Sequence, residues 1–261
     1  MTLRWEPDGE AVGSVALVHG VMALAETWWR IGPALAARGW RVVAVDLPGH
    51  GGDGHRDGAL DHDALVDGVA ARLDGPVDVL VGHSLGAIVA LGLLARDPGA
   101  ARALVLEEPP GPRAIDLRAL ATVIVHDAAA VRSDRAPLVA REREANPRWD
   151  PGDVERSVRG IEEADSEAIV AALNGPLRWD LAALLAGVDV DVATLVLAAP
   201  DAAGRFPLDE GSALRGADRQ AVCAAVGPGR FLELEGGHCL HRDDPQRWLE
   251  VVDAFARDAL G

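Results

Sequence analysis

The sequence predicts an α/β fold with a mostly parallel sheet, and two observations carry that reading. Short apolar runs of strand length alternate with longer runs at helical spacing, the order that βαβ units produce. In addition, the apolar run 77–81 leads through Gly82-His83-Ser84-Leu85-Gly86 into a stretch of small apolar residues, 87–95. That succession reads as buried strand, sharp turn and helix. With 261 residues, 49% of them hydrophobic, the chain is long enough for one large domain with a well-buried core.

Taken in order, strands are expected at 14–19, 41–47, 77–83, 103–107, 193–199 and 230–234. Helices are expected at 27–38, 60–73, 84–96, 212–226 and 245–260. The last opens with Asp244 as a cap and Pro245 in its first turn, where a missing N–H costs nothing. It sets Trp248, Val251, Val252 and Phe255 on one face. The alternation breaks between 108 and 193, where the patterning is helical throughout. Pro109-Pro110-Gly111-Pro112 opens this segment stiffly, and Asp150-Pro151-Gly152-Asp153 and Asn174-Gly175-Pro176 separate helices within it. Arg, Glu and Asp recur there and give its helices a solvated face. The organisation is therefore a sheet core over 1–110 and 189–261, with a helical cap at 111–188. No internal repeat or low-complexity tail is present.

The net charge of −16 argues against nucleic acid or an anionic membrane as partner, since both attract basic patches. Solubility is the simpler account of the charge. Every basic residue is arginine, so a lysine Schiff base and a P-loop lysine are excluded. No apolar run reaches the ~20 residues of a membrane-spanning helix. Residues 1–9, with Arg4, Glu6 and Asp8, lack the basic-then-apolar order of a signal peptide, so a cytoplasmic location is expected. Cys223 and Cys239 are too few for a disulfide framework and are not at metal-ligand spacing. No metal and no cofactor are expected; the expected partner is a small-molecule substrate.

The pattern G-x-S-x-G between strand and helix places Ser84 at a strained turn with its hydroxyl exposed. A side chain at 82 or 86 would strike the neighbouring helix or strand where the chain turns this tightly. A serine hydroxyl needs a base within hydrogen-bond reach and a third group to orient that base. His238, in the loop Glu235-Gly236-Gly237-His238-Cys239-Leu240-His241 after the last strand, is the expected base, with His241 as a rival better suited to supporting the loop. The expected acid is Asp201, at the carboxyl end of the strand near 193–199; Glu107, Glu108 and Asp209 are alternatives. Developing negative charge on the substrate needs preorganised N–H donors. Leu85 N–H, at the start of a helix, and Val21 N–H, in the loop after the first strand, are the candidates, with His19 orienting that loop. The carboxylate and imidazole of Asp46-Leu47-Pro48-Gly49-His50-Gly51 read as a turn rather than a metal site. Met22, Trp28 and Trp149 are candidate substrate contacts.

Together, Val18-His19-Gly20, Asp46-Leu47-Pro48-Gly49-His50-Gly51, Gly82-His83-Ser84-Leu85-Gly86 and Gly237-His238 resemble the α/β-hydrolase superfamily, in particular its cap-bearing serine hydrolase group. The resemblance covers nearly the whole chain. It implies an eight-stranded sheet, a lid inserted after the sixth strand, a Ser84–His238–Asp201 triad and a substrate pocket between lid and sheet. Relatives that use aspartate as nucleophile do not fit Ser84. Those that activate an epoxide with lid tyrosines do not fit a chain without tyrosine. One departure bears on the acid: the usual Gly-x-x-Asp turn is here Ala198-Ala199-Pro200-Asp201. The expected reaction is hydrolysis of a small, largely apolar ester, lactone or thioester through an acyl-Ser84 intermediate. The alternatives are the same triad used for carbon–carbon hydrolysis, cyanohydrin cleavage or acyl transfer, and a non-catalytic small-ligand receptor.

Overall fold

The computed structural model describes residues 1–53, 59–202, 206–207, 211–227 and 229–261. Seven strands form one sheet: β1 (Thr2–Trp5), β2 (Gly13–Val18), β3 (Trp40–Val45), β4 (Val77–His83), β5 (Ala101–Glu107), β6 (Ala193–Ala198) and β7 (Phe231–Glu233). Their spatial order is β1-β3-β2-β4-β5-β6-β7, and only β1 runs antiparallel. The sheet therefore has seven strands among the described residues, where eight were expected. With β1 at one edge and β7 at the other, no eighth strand adjoins them among the described residues. β1 itself escapes sequence reading because Thr2-Leu3-Arg4-Trp5 is a four-residue run; its place comes from pairing with 42–45 of β3.

Among the described residues, eleven α-helices accompany the strands: α1 (Ile31–Ala36), α2 (His62–Ala70), α3 (Leu85–Arg96), α4 (Leu117–Ser133), α5 (Arg135–Ala145), α6 (Pro151–Glu163), α7 (Ser166–Asn174), α8 (Leu181–Gly187), α9 (Gly216–Val226), α10 (Leu240–Asp243) and α11 (Pro245–Leu260). The helix expected over 27–38 divides into a 3-10 turn, Ala25–Trp28, and α1. Starting at Ile31 puts Pro33 in the first turn, where its missing N–H has no acceptor to lose. Helices α4 to α8 lie consecutively between β5 and β6, so this helical segment follows the fifth described strand. Aspartate caps α2, α4, α5, α6, α7, α8 and α11, each side chain accepting from a backbone N–H of the first turn. Each such cap contributes about 1 kcal/mol, so part of the negative charge starts helices.

The sheet separates two apolar layers. One packs β4 and β5 against α2, α3 and the helices after β5, with Ile88, Leu91, Leu104 and Leu173 buried. The other joins α1, α11 and the opposite sheet face around Trp28, Trp40 and Trp248. Central strands buried on both faces explain the continuous apolar runs at β4 and β5. The carboxyl ends of β2, β4 and β5 open on one edge of the sheet, where the loops after β6 and β7 also arrive. Among the described residues, no helix is long and apolar enough to cross a membrane.

Candidate active site

Ser84 stands between β4 and α3 with φ 52° and ψ −119° and is almost fully buried. The turn has the tightness that its glycines suggested. A Cβ at Gly82 would meet the Gly86 carbonyl oxygen and lie 2.6 Å from Ala87 Cα; one at Gly86 would meet the Val18 oxygen and lie 2.5 Å from the His19 oxygen. These contacts are backbone atoms, which cannot rotate away. Met22, Ser84 and Glu108 are the three described non-glycine residues with left-handed φ, and all three lie at this edge. Strain of this kind persists only where the surroundings enforce it, and it concentrates at functional positions.

His238 follows β7, and its Nδ1 lies 3.1 Å from Glu108 Oε2. Glu108 is wholly buried and is held by other donors as well. Its Oε1 accepts from Ala199 N–H (2.7 Å) and Ser212 Oγ–H (2.7 Å), and its Oε2 accepts from Ala213 N–H (2.6 Å). Such a set of donors fixes the carboxylate in one orientation. A carboxylate at Nδ1 fixes the proton there and leaves Nε2 as the basic ring nitrogen. Ser84 and His238 line one cavity. The Ser84 hydroxyl makes no hydrogen bond to a described residue; bonds of this kind commonly tighten only in the substrate complex.

Asp201, the expected acid, is not at His238. Its carboxylate is exposed, and Oδ1 accepts from Ala202 N–H (3.0 Å) and Gly216 N–H (3.2 Å). The reason is where the strands end: β6 stops at Ala198, while β5 runs directly beside β4 and delivers Glu108 next to the serine turn. Asp209 lies outside the described residues. Glu107 is directed elsewhere: it is the last residue of β5, and the chain turns at Glu108 with φ 51°. Its Oε1 accepts from His241 N–H (3.1 Å) and lies 2.8 Å from His241 Nδ1, while Oε2 accepts from Trp248 Nε1–H (3.0 Å). His241 is therefore a loop support, and His83 Nε2 adds a second brace by donating to the His238 carbonyl at 2.8 Å. Burial keeps the pKa of His83 and His241 well below 6.5 and raises that of Glu107. Glu107, His83 and His241 come close enough together to suggest a metal cluster. However, His83 Nε2 and His241 Nδ1 are already committed to the hydrogen bonds just described.

The loop after β2 presents Val21 N–H without a backbone acceptor among the described residues, whereas Met22 N–H donates to His50 Nε2 at 3.1 Å. Leu85 N–H opens α3, where the helix leaves its first donors unsatisfied. His19 and His50 brace this loop as neutral rings. His19 donates from Nδ1 to the Gly20 carbonyl (2.7 Å) and accepts at Nε2 from Leu47 N–H (3.0 Å); His50 donates from Nδ1 to the Pro48 carbonyl (3.1 Å).

Burial pushes His50 from 6.5 down to about 4 and His19 well below 6.5. Below pH 6.5 the unfolded chain takes up protons at these rings that the folded chain refuses. Stability is therefore present above 6.5 and lost as pH falls toward 4, by roughly 3 kcal/mol for His50 alone. Glu107, with its raised pKa, opposes this by gaining its proton in the folded state. A thermal-melt series from pH 7.5 to 5 is expected to show a falling Tm, with a shallower slope in His50→Gln.

A cavity of about 260 Å³ extends from Ser84 and His238. Ile115, Leu120, Leu173, Leu177, Trp179 and Phe206 give it a largely apolar wall, and Asp127, Ser157 and Arg242 add polar groups. Met22 and Trp149 are among its lining residues. Trp28 is not: it is fully buried in the core beyond, its ring 4.3 Å from that of His241 and 5.9 Å from that of Trp248. Arg242 was not singled out in the sequence, since an arginine beside Asp243 and Asp244 reads as a solvated charge.

A match to the Alpha/beta hydrolase family spans residues 15–251, and the chain belongs to that family. Over 97 residues it is 46% identical to a pimeloyl-[acyl-carrier protein] methyl ester esterase of Neisseria meningitidis, a stretch covering 37% of this chain and 36% of the relative. It is 35% identical over 181 residues to lipase LipV of Mycobacterium tuberculosis, covering 67% of this chain and 64% of that one. Both matches thus leave part of the relative's length unspanned. Among solved structures, an esterase from Exiguobacterium antarcticum superposes with a TM-score of 0.72 at 15% identity, covering 98% of this chain and 94% of that one. The relatives that the chain matches in part are thus named as an esterase and a lipase.

Proposed function

We propose that this protein hydrolyses carboxylic esters through an acyl-Ser84 intermediate, with Glu108 rather than Asp201 as the third member of the triad. The observation that carries the reading is the buried Glu108–His238 pair opening on the cavity that Ser84 lines. His238 Nε2 removes the hydroxyl proton as Oγ attacks the ester carbonyl, and imidazolium is stabilised by Glu108 across Nδ1. The carbonyl oxygen, now anionic, is held by Leu85 and Val21 N–H groups, with the α3 dipole favouring negative charge there. Collapse expels the alcohol with the proton from His238. Water, activated by the same nitrogen, then releases the acid and regenerates Ser84.

Residues 111–188 act in this reading as a lid: α4, α6 and α7 supply cavity walls, and the apolar lining suits a small, largely apolar substrate. The similarity to an enzyme named for a methyl ester makes methyl esters of acyl chains natural first candidates, with lactones and thioesters next. The test is intact-mass measurement after brief exposure to activated esters, lactones and thioesters, with product analysis in ¹⁸O-water. An acyl adduct mapped to Ser84 and one solvent oxygen in the acid product are expected. Turnover with no adduct at Ser84 under any trapping condition, and full activity after Ser84 is blocked, would overturn the reading.

A further inference from the structure

Arg242 is 4% exposed, yet among the described residues it forms no ion pair. In a chain with 41 acidic residues this is unusual placement rather than shortage of partners. The nearby carboxylates are engaged elsewhere: Asp243 accepts from Trp149 Nε1–H and Gly237 N–H, Asp153 from Trp29 Nε1–H, and Glu107 from His241 and Trp248. By contrast Asp127, on the same cavity, is met by Arg141 with two bonds of 2.7 Å. A buried guanidinium without a counter-charge is costly.

The side chain is nevertheless held in one orientation. Its Nε and Nη2 donate to Thr27 Oγ1 at 3.0 and 2.5 Å, and its Cζ lies over the Trp149 ring, 4.5 Å from the centroid. Thr27 Oγ1, taking both of those bonds, has its own hydrogen left for His241 Nε2 at 3.3 Å, and His241 Nδ1 is bonded to Glu107. The series Glu107, His241, Thr27, Arg242 therefore fixes the guanidinium from behind. Nη1 donates to no described group, and Arg242 lines the cavity together with Trp149, Ser84 and His238. A planar fork held by one side and unoccupied on the other matches a carboxylate in shape and charge.

We propose that Arg242 binds a free carboxylate of the substrate, so that the preferred substrate is an ester that also carries a carboxylate: an apolar chain with the reacting ester at Ser84 and an anionic group reaching Arg242. This rests on the ester-hydrolase reading and narrows it. The carboxylate could sit on the acyl side or on the alcohol side of the ester, and the two arms of the test separate these.

The experiment compares kcat/KM for p-nitrophenyl half-esters of dicarboxylic acids with their methyl-terminated acyl isosteres, and for acetyl esters of hydroxy acids with those of the matching alcohols. Wild type is expected to favour the anionic member of one series by about 10-fold or more. In Arg242→Gln that anionic-to-neutral ratio is expected to fall toward one, chiefly through KM, and Arg242→Lys to restore part of it. Because the readout is a ratio within one protein sample, a partly unfolded variant does not imitate the result. If the variants do not fold, protection of wild-type Ser84 from a neutral fluorophosphonate by dicarboxylate monoanions, against their amides, reads the same contact. A wild-type ratio near one in both series, or a ratio unchanged in Arg242→Gln, overturns the proposal while leaving ester hydrolysis intact. Ser84 that neither labels nor turns over any ester overturns the parent reading instead.

Discussion

Ser84→Ala is expected to lower kcat on any ester this enzyme turns over by about 10⁵- to 10⁶-fold, leaving KM nearly unchanged. Alanine removes only the hydroxyl oxygen, and that oxygen bonds to no described residue, so the turn loses no structural contact. The φ of 52° is no harder for alanine than for serine, so the strain stays and Tm is expected to move little. His238→Ala is expected to cost a comparable factor. The double variant falls no further than the worse single one, because nucleophile and base act as one unit. What remains is the contribution of the N–H donors at Leu85 and Val21 and of substrate positioning. Steady-state rates with a p-nitrophenyl ester, corrected by active-site titration for contaminating wild type, decide it. A Ser84→Ala protein retaining more than about one-hundredth of the wild-type rate would move the nucleophile elsewhere.

Local chemistry was legible in the sequence wherever a few neighbouring residues decide the geometry. The serine turn is such a case at Gly82, whose Cβ would strike backbone atoms of Gly86 and Ala87, four and five residues on. The termini of β4 and α11 also agree with the pattern, because an apolar run and an Asp-Pro start fix them without tertiary help. The acid was not legible in this way. What makes Glu108 the partner of His238 is a set of donors, Ala199, Ser212 and Ala213, that reach it from 91 to 105 residues away. Sequence order offered Asp201 at the end of a strand, and nothing local said that the chain turns it to solvent. Trp28 shows the same limit: a tryptophan two residues after Glu26 suits a pocket wall or a core equally, and only packing against Trp248 separates the two. The tandem Glu107-Glu108, an alternative acid in the sequence, holds the stronger signal. Two buried carboxylates in succession at a strand end, followed far downstream by His238 and His241, describe two parallel acid–imidazole pairs. One pair opens on the cavity and the other anchors the loop that carries it.

Glu108→Gln is expected to lower kcat by about 10³- to 10⁴-fold, whereas Asp201→Asn stays within about twofold of wild type. The asymmetry follows from which atoms face the glutamate. Oε1 receives Ala199 N–H and Ser212 Oγ–H, and Oε2 receives Ala213 N–H and His238 Nδ1–H. An amide offers an oxygen for one pair of donors and must turn its NH₂ toward the other. If the NH₂ faces His238, the ring can pair with it only by accepting at Nδ1, which moves the proton to Nε2. That nitrogen then meets the Ser84 hydroxyl as a donor and cannot take its proton. The imidazolium formed during attack also loses its counter-charge. The same exchange strands the buried Ala213 N–H, so about 1–3 kcal/mol of stability is expected to go with it. Asp201 faces water with two backbone donors, and water replaces either bond when asparagine is introduced. Kinetics on both variants, with Tm to separate folding from chemistry, distinguish the two carboxylates. A full loss in Asp201→Asn with an active Glu108→Gln would require the loop after β6 to swing Asp201 onto His238 during turnover, and Glu108 would then be only a structural anchor for that loop.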